Sequence, residues 1–202
     1  MVAGVERTVH FLVVSFPYSN MRYVAALPGE TAECVCHGLN LVFSHVGMVP
    51  RVLVFDNATG VGRRRADGTV TQTRLFSLFC AHYGFETRFC NPCSGHEKGS
   101  TENAVGFLRR NLMVPTPSAE GWDRLTDAWL ERCDEIAHAD HYREDVPIRD
   151  LFGTDLDHML PLPPSMFDAC DWRDVKTDRT GTVTIDSNRY LAGPKWHSMR
   201  LM

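Results

Sequence analysis

The sequence predicts an α/β layer fold, a mixed sheet with helices on both faces, followed by a small β unit. Three observations carry this. β-branched apolar runs of strand length alternate with segments of 3.6-residue apolar period. Glycine or proline punctuates the changes of period. A proline run, Pro161-Leu162-Pro163-Pro164, precedes a tail of short strands only. At 202 residues and 44% hydrophobic composition, the chain is long enough for one sizeable core plus an appendage.

Val9–Phe16 is a nearly continuous apolar run and Arg22–Leu27 a second, with Pro17-Tyr18-Ser19-Asn20 as the turn between them. They form an antiparallel hairpin, whose first strand is apolar on both faces and so belongs inside a sheet covered on both sides. Pro28-Gly29-Glu30 breaks the pattern and Thr31 offers an N-cap. Val35, Leu39, Val42, Phe43 and Val46 then follow helical spacing, and Gly47 closes the helix.

Arg51–Phe55 is a short buried strand ending in Asp56. Residues 60–72 are rich in glycine and arginine, with Asp67-Gly68 as a tight turn, and read as an exposed, positively charged excursion. Leu75 to Tyr83 is a helix ended by Gly84, and Phe85–Cys90 is a strand. A polar stretch with Pro92, Gly95 and Gly99 runs into a helix expected to begin near Gly99 or Ser100, with Ala104, Val105, Leu108 and Leu112 on its apolar stripe. A long helix from about Ala119 to Asp140 packs Leu125, Trp129, Cys133 and Ile136 on one face. A shorter one spans Ile148–Leu160. Beyond the proline run, Trp172–Val175, Gly181–Ile185 and Arg189–Leu191 read as short strands. The organisation expected is a core over 1–115, a helical extension over 116–160 and a β unit over 165–202.

No apolar run reaches the roughly 18 residues a membrane span needs, and the N-terminus has no signal-peptide pattern, so a cytosolic location is expected. Seven cysteines, most of them inside predicted helices, fit reduced thiols used as small apolar residues. A net charge of −4 excludes a globally basic nucleic-acid coat. Any DNA contact must come from local clusters, either Arg63-Arg64-Arg65 or Lys98 with Arg109 and Arg110.

Two carboxylates stand out. Asp56 lies just past the carboxyl end of a buried strand, where open α/β sheets carry ligand sites, although an Asx-turn residue would sit there too. Glu102 falls at the edge of its helix's apolar stripe, in line with Gly106, Arg109 and Met113, but a first-turn acid is also favoured by the helix dipole alone. Converging, the two would suit hard cations such as Mg²⁺. Glu97, before the helix, is the runner-up acid. Cys90, Cys93 and His96 have zinc-like spacing but no following ligand pair at finger distance. His138, Asp140 and His141 read as helix-end polar groups. Ser15, Ser94 and Cys36 have no His and Asp partners arranged as a nucleophilic set.

The combination VPRVLVFDNATGV, FCNPCSGHEKGSTENAVGFLRRNLMVP, the LPLPP linker and GTVTIDSNRY resembles the IstA-type insertion-sequence transposases of the retroviral-integrase superfamily. The resemblance covers nearly the whole chain. It implies an RNase H-like core with an Asp, Asp, Glu triad, followed by a small β-barrel. Asp56 corresponds to the second aspartate and Glu102 to the glutamate, which would hold Mg²⁺ or Mn²⁺. Lys98 and Asn103 match flanking positions that resemble DNA or active-site support. The resemblance also implies DNA as substrate, multimers on DNA and an AAA+ ATPase helper. One departure stands against it: no aspartate precedes Asp56, and Glu6, Glu30 and Glu33 are wrongly placed to replace one. The expectation is therefore an internal piece of a transposase, beginning after the first catalytic aspartate, ending inside the barrel and nearly inactive alone. The alternative is a non-catalytic DNA-binding or interaction remnant.

Overall fold

The structure, a computed structural model, describes residues 1–55, 60–90 and 104–202 in full and residues 95–103 by their backbone alone. It divides into two compact units, Met1–Ala169 and Cys170–Met202.

The first unit is built on the hairpin β1 (His10–Ser15) and β2 (Arg22–Leu27), paired antiparallel from His10 with Leu27 to Ser15 with Arg22. Helix α1 (Ala32–Val46) starts at Thr31, whose hydroxyl accepts from the Cys34 N–H, and ends at Gly47 with φ +77. It packs on one hairpin face very closely: a Cβ on Gly38 would lie 2.9 Å from the Leu27 side chain and 3.5 Å from that of Leu12. The opposite face, with Phe11 and Arg22, meets α3 (Gly95–Leu112; α2 is described below). Arg109 lies over the Phe11 ring at 5.5 Å and Arg22 over the Phe107 ring at 5.2 Å. The hairpin is thus covered on both faces, as its doubly apolar first strand requires.

The outer edge of β2 is sealed by helix α4 (Trp122–Ile136). The Ala26 N–H donates to the Thr126 hydroxyl at 2.9 Å, and that hydroxyl lies 3.4 Å from the Ala26 carbonyl, to which it donates. Tyr23 donates to Asp134 at 2.8 Å, and His37 and His45 of α1 meet Asp123 and Asp134 of α4 at 2.9 and 2.7 Å. α4 is shorter than the stripe from Ala119 to Asp140 suggests, because the stretch after Ile136 turns away to pair Asp140 with Pro147.

After the short β3 (Met48–Val49), the strand β4 (Val52–Phe55) runs parallel to β7 (Glu86–Phe89), in register from Val52 with Glu86 to Phe55 with Phe89. The crossover between them carries the hairpin β5 (Gly62–Arg64) and β6 (Val70–Gln72), then α2 (Arg74–Tyr83), capped by Thr73 and Gly84. Phe43, Phe76, Phe79 and Phe85 interlock beneath it. Among the described residues the strands pair two by two rather than as one continuous mixed sheet.

Helix α5 is Ile148–Leu156, and β8 (Leu160–Pro161) pairs with β3, so Pro161 is part of the first unit and not a free linker. A buried triangle holds the chain as far as Phe167: Tyr83 donates to the Asn40 side-chain oxygen at 2.7 Å, Asn40 donates to the Phe167 carbonyl at 2.8 Å, and the Phe167 N–H donates to the Tyr83 oxygen at 3.3 Å. The unit boundary accordingly falls after Ala169.

In the second unit β9 (Val175–Lys176) pairs with β12 (Arg200–Leu201) and β10 (Thr182–Ile185) with β11 (Asn188–Leu191). Asp186 and Ser187 both have positive φ, the requirement of a tight two-residue hairpin turn. Asp178 accepts from the N–H groups of Thr180 and Thr182 and from the Thr180 hydroxyl, which holds its carboxyl below the usual range.

Thr126→Val keeps the shape and leaves the buried Ala26 N–H and C=O without a partner. Urea unfolding is expected to show a loss of about 1–3 kcal/mol, against a loss of about 1 kcal/mol for Thr126→Ser, which keeps the hydroxyl.

Candidate functional site

The parallel ladder of β4 and β7 brings two strand ends together. The rings of Phe55 and Phe89 are 5.7 Å apart, and the Cys90 N–H donates to the Phe55 carbonyl at 2.9 Å, extending the ladder to the last residue before position 56. Carboxyl ends of parallel strands are where this architecture places ligands. Asp56 follows directly and lies outside the described residues.

Glu102 lies within α3, as do Lys98 and Asn103; the side chains of all three fall outside the described residues. The helix begins at Gly95, earlier than the expected Gly99 or Ser100. A glycine inside a helix costs only about 1 kcal/mol relative to alanine, too little for Gly99 to force a stop. From Ala104 onward the helix is anchored by Ala104, Leu108 and Leu112, all buried. Arg109 and Arg110 are exposed. Arg109 reaches back over Phe11 on β1, with its guanidinium 5.5 Å from the ring.

Among the described residues no group of three or more His, Cys, Asp or Glu could hold a metal. Cys93, Ser94, His96 and Glu97 fall outside them as far as their side chains are concerned. His141 is buried, and its Nδ1 accepts from the Arg143 N–H at 3.3 Å, a local turn contact. No helix of the described residues is long and apolar enough to cross a membrane.

The arginine-rich excursion is an ordered β-hairpin, a feature that glycine-rich composition hid and that only the short alternation Val70-Thr71-Gln72 hinted at. Its Arg64 donates to the carbonyls of Gly68 and Cys90 at 2.8 and 2.7 Å, tying it to the end of β7.

Burial by the core pushes the thiols of Cys36 and Cys133 up to about 12 and that of Cys80 to about 11, which leaves no activated sulfur nucleophile among them. Because the thiolate forms only as pH rises through these values, iodoacetamide at about pH 8 is expected to leave Cys36 and Cys133 unmodified in the folded protein and to alkylate both after unfolding, read by peptide mass spectrometry.

No protein-family model matches the chain. It is similar to a transposase of Aminobacter aminovorans, 29% identical over 193 residues that make up 94% of this chain and 38% of that protein. It is also similar to the transposase for insertion sequences IS1326/IS1353 of Pseudomonas aeruginosa, 30% identical over 73% of this chain and 29% of that protein. A third relative is the putative transposase for insertion sequence element IS5376 of Geobacillus stearothermophilus, 28% identical over 65% of this chain and 34% of that one. The chain thus spans between 29% and 38% of these relatives' lengths. Among solved structures, it aligns with a chain of the simian T-cell lymphotropic virus intasome in complex with PP2A regulatory subunit B56 gamma. The TM-score is 0.54 at 15% identity, over 97% of this chain and 74% of that chain. The fold is integrase-like.

Proposed function

We propose that this chain is the catalytic core of an insertion-sequence DNA transposase with an RNase H-like arrangement, in which water cuts an element end and the freed 3′-hydroxyl attacks target DNA. One observation carries the reading: the β4–β7 ladder closes on the residue before Asp56, within an integrase-like fold and in a chain similar to transposases.

In this reading Asp56 and Glu102 would hold Mg²⁺ or Mn²⁺, and their carboxylate oxygens are donors of the type those hard cations take. Bound there, the metal would stabilise charge on the attacking and leaving oxygens of phosphoryl transfer. Arg109 and Arg110, exposed toward the end of α3, would bind phosphates, and Lys98 and Asn103 would support the DNA near Glu102. Such contacts make binding steeply salt-dependent. Multimers on DNA and an AAA+ ATPase helper belong to the same proposal.

Asp56→Asn and Glu102→Gln are each expected to weaken Mn²⁺ binding by at least about tenfold in calorimetric titration, since even supporting residues of metal sites carry that much. Metal-free binding of duplex DNA should be kept. Parent-like Mn²⁺ isotherms in both variants would make the two carboxylates structural and remove the catalytic reading.

A further inference from the structure

Between residues 60 and 74 the chain carries four arginines against one aspartate, in a protein of net charge −4. The hairpin that holds most of them is firmly built. Arg64 pins it to the Cys90 carbonyl, and Gln72 donates to the Thr87 hydroxyl on β7 at 2.6 Å. The Thr73 N–H closes its base on the Val61 carbonyl at 2.8 Å. The two strands approach so closely at Gly62 that a Cβ there would meet the Thr71 carbonyl at 2.6 Å.

Alternation along the strand then separates the arginines by role. Arg64 turns in as the pin. Arg63 and Arg65 are exposed, and neither has an ion pair with a carboxylate among the described residues. Other exposed arginines are matched differently: Arg132 with Glu135, Arg149 with Asp150, and Arg173 with Asp171 and Asp186. The single acid of the hairpin, Asp67, is occupied by its own turn, accepting from the Thr69 N–H at 2.9 Å and the Thr69 hydroxyl at 2.6 Å. The ribbon lines an open concavity of about 470 Å³, walled by Arg63, Arg64, Arg65, Thr71 and Gln72.

We propose that this ribbon is a second DNA grip, in which Arg63 and Arg65 clasp the phosphodiester backbone of a duplex beside the ends of β4 and β7. The guanidinium fork matches phosphate oxygens bidentately and, exposed and with no carboxylate partner among the described residues, is placed to do so. Arg63 on β5 and Arg65 just past its end are two residues apart, a backbone spacing of about 7 Å, from which both side chains can reach neighbouring phosphates of one duplex. The ribbon's ties to β7 fix that grip relative to the strand ends. The inference rests on the reading of the chain as a DNA-transposase core, and it adds a contact surface separate from α3.

The test measures binding of a fluorescein-labelled duplex to the full chain by anisotropy, between about 50 and about 200 mM KCl. The double variant Arg63→Ala/Arg65→Ala is expected to lower the slope of log affinity against log salt by about 1.8, about 0.9 for each lost contact. The paired lysine variant should retain most of it, with both melting like the parent. If the alanine pair keeps the parent's affinity and slope while Arg109→Ala/Arg110→Ala loses them, the ribbon is not a DNA grip and the transposase reading stands. Loss of poly-glutamate binding with DNA binding intact would also overturn it, in favour of an acidic protein partner. A parent chain that binds no duplex even at the lower salt would sink the DNA reading itself, and this inference with it.

Discussion

Ala26 has its N–H and C=O on the side of β2 that faces away from β1, and both end on a single hydroxyl, that of Thr126. An unpaired strand edge buried in a core would leave polar groups without water or partner, at a cost comparable to a lost hydrogen bond for each. α4 removes that cost. It lies along the edge, meets α1 through His37–Asp123 and His45–Asp134, and presents Leu125, Trp129, Leu130 and Cys133 to the core. With the edge closed, both faces of the hairpin are free to take helices, α1 on one and α3 on the other. The position of α3, and with it the position of Glu102 along that helix, follows from a hairpin that α4 has made safe to bury.

A second constraint works at the far side of the unit. The triangle of Tyr83, Asn40 and Phe167 ties α2, α1 and the stretch after β8 together through three hydrogen bonds. Buried polar networks of this kind favour one arrangement, because an alternative packing would strand a donor or an acceptor. Here the network sits beside the clustered rings of Phe43, Phe79 and Tyr83, the first two stacked and Tyr83 edge-on to Phe43, so polar specificity and aromatic packing act on the same elements. The consequence for the candidate site is indirect but physical: α2 is the return leg of the β4–β7 crossover, and fixing α2 fixes how the two strand ends come side by side.

The arginines divide by environment rather than by sequence neighbourhood. Arg22 is half-buried against Phe107, and desolvation lowers its basicity. Arg64 spends its donors on two backbone carbonyls, whereas Arg63 and Arg65 on either side of it face solvent. Three consecutive identical residues therefore carry two different jobs, and the pleat of a strand is the reason.

Periodicity and punctuation in the sequence determined most of the elements. The hairpin, the caps at Thr31, Gly47 and Gly84, the strand before Asp56 and the apolar stripe of α4 are local properties, set by which residues can adopt β, helical or left-handed backbone without help. The resemblance to insertion-sequence transposases rested on motifs that the sequence alone displayed. Tertiary structure decided what depends on residues far apart in the chain: that α4 stops at Ile136, that Pro161 pairs with Met48 and the first unit runs on to Ala169, that α3 starts at Gly95, and that the glycine- and arginine-rich excursion is an anchored ribbon. None of these has a local signal strong enough to read. For Pro161 and the anchored ribbon the deciding partners, Met48 and Cys90, lie tens of residues away along the chain.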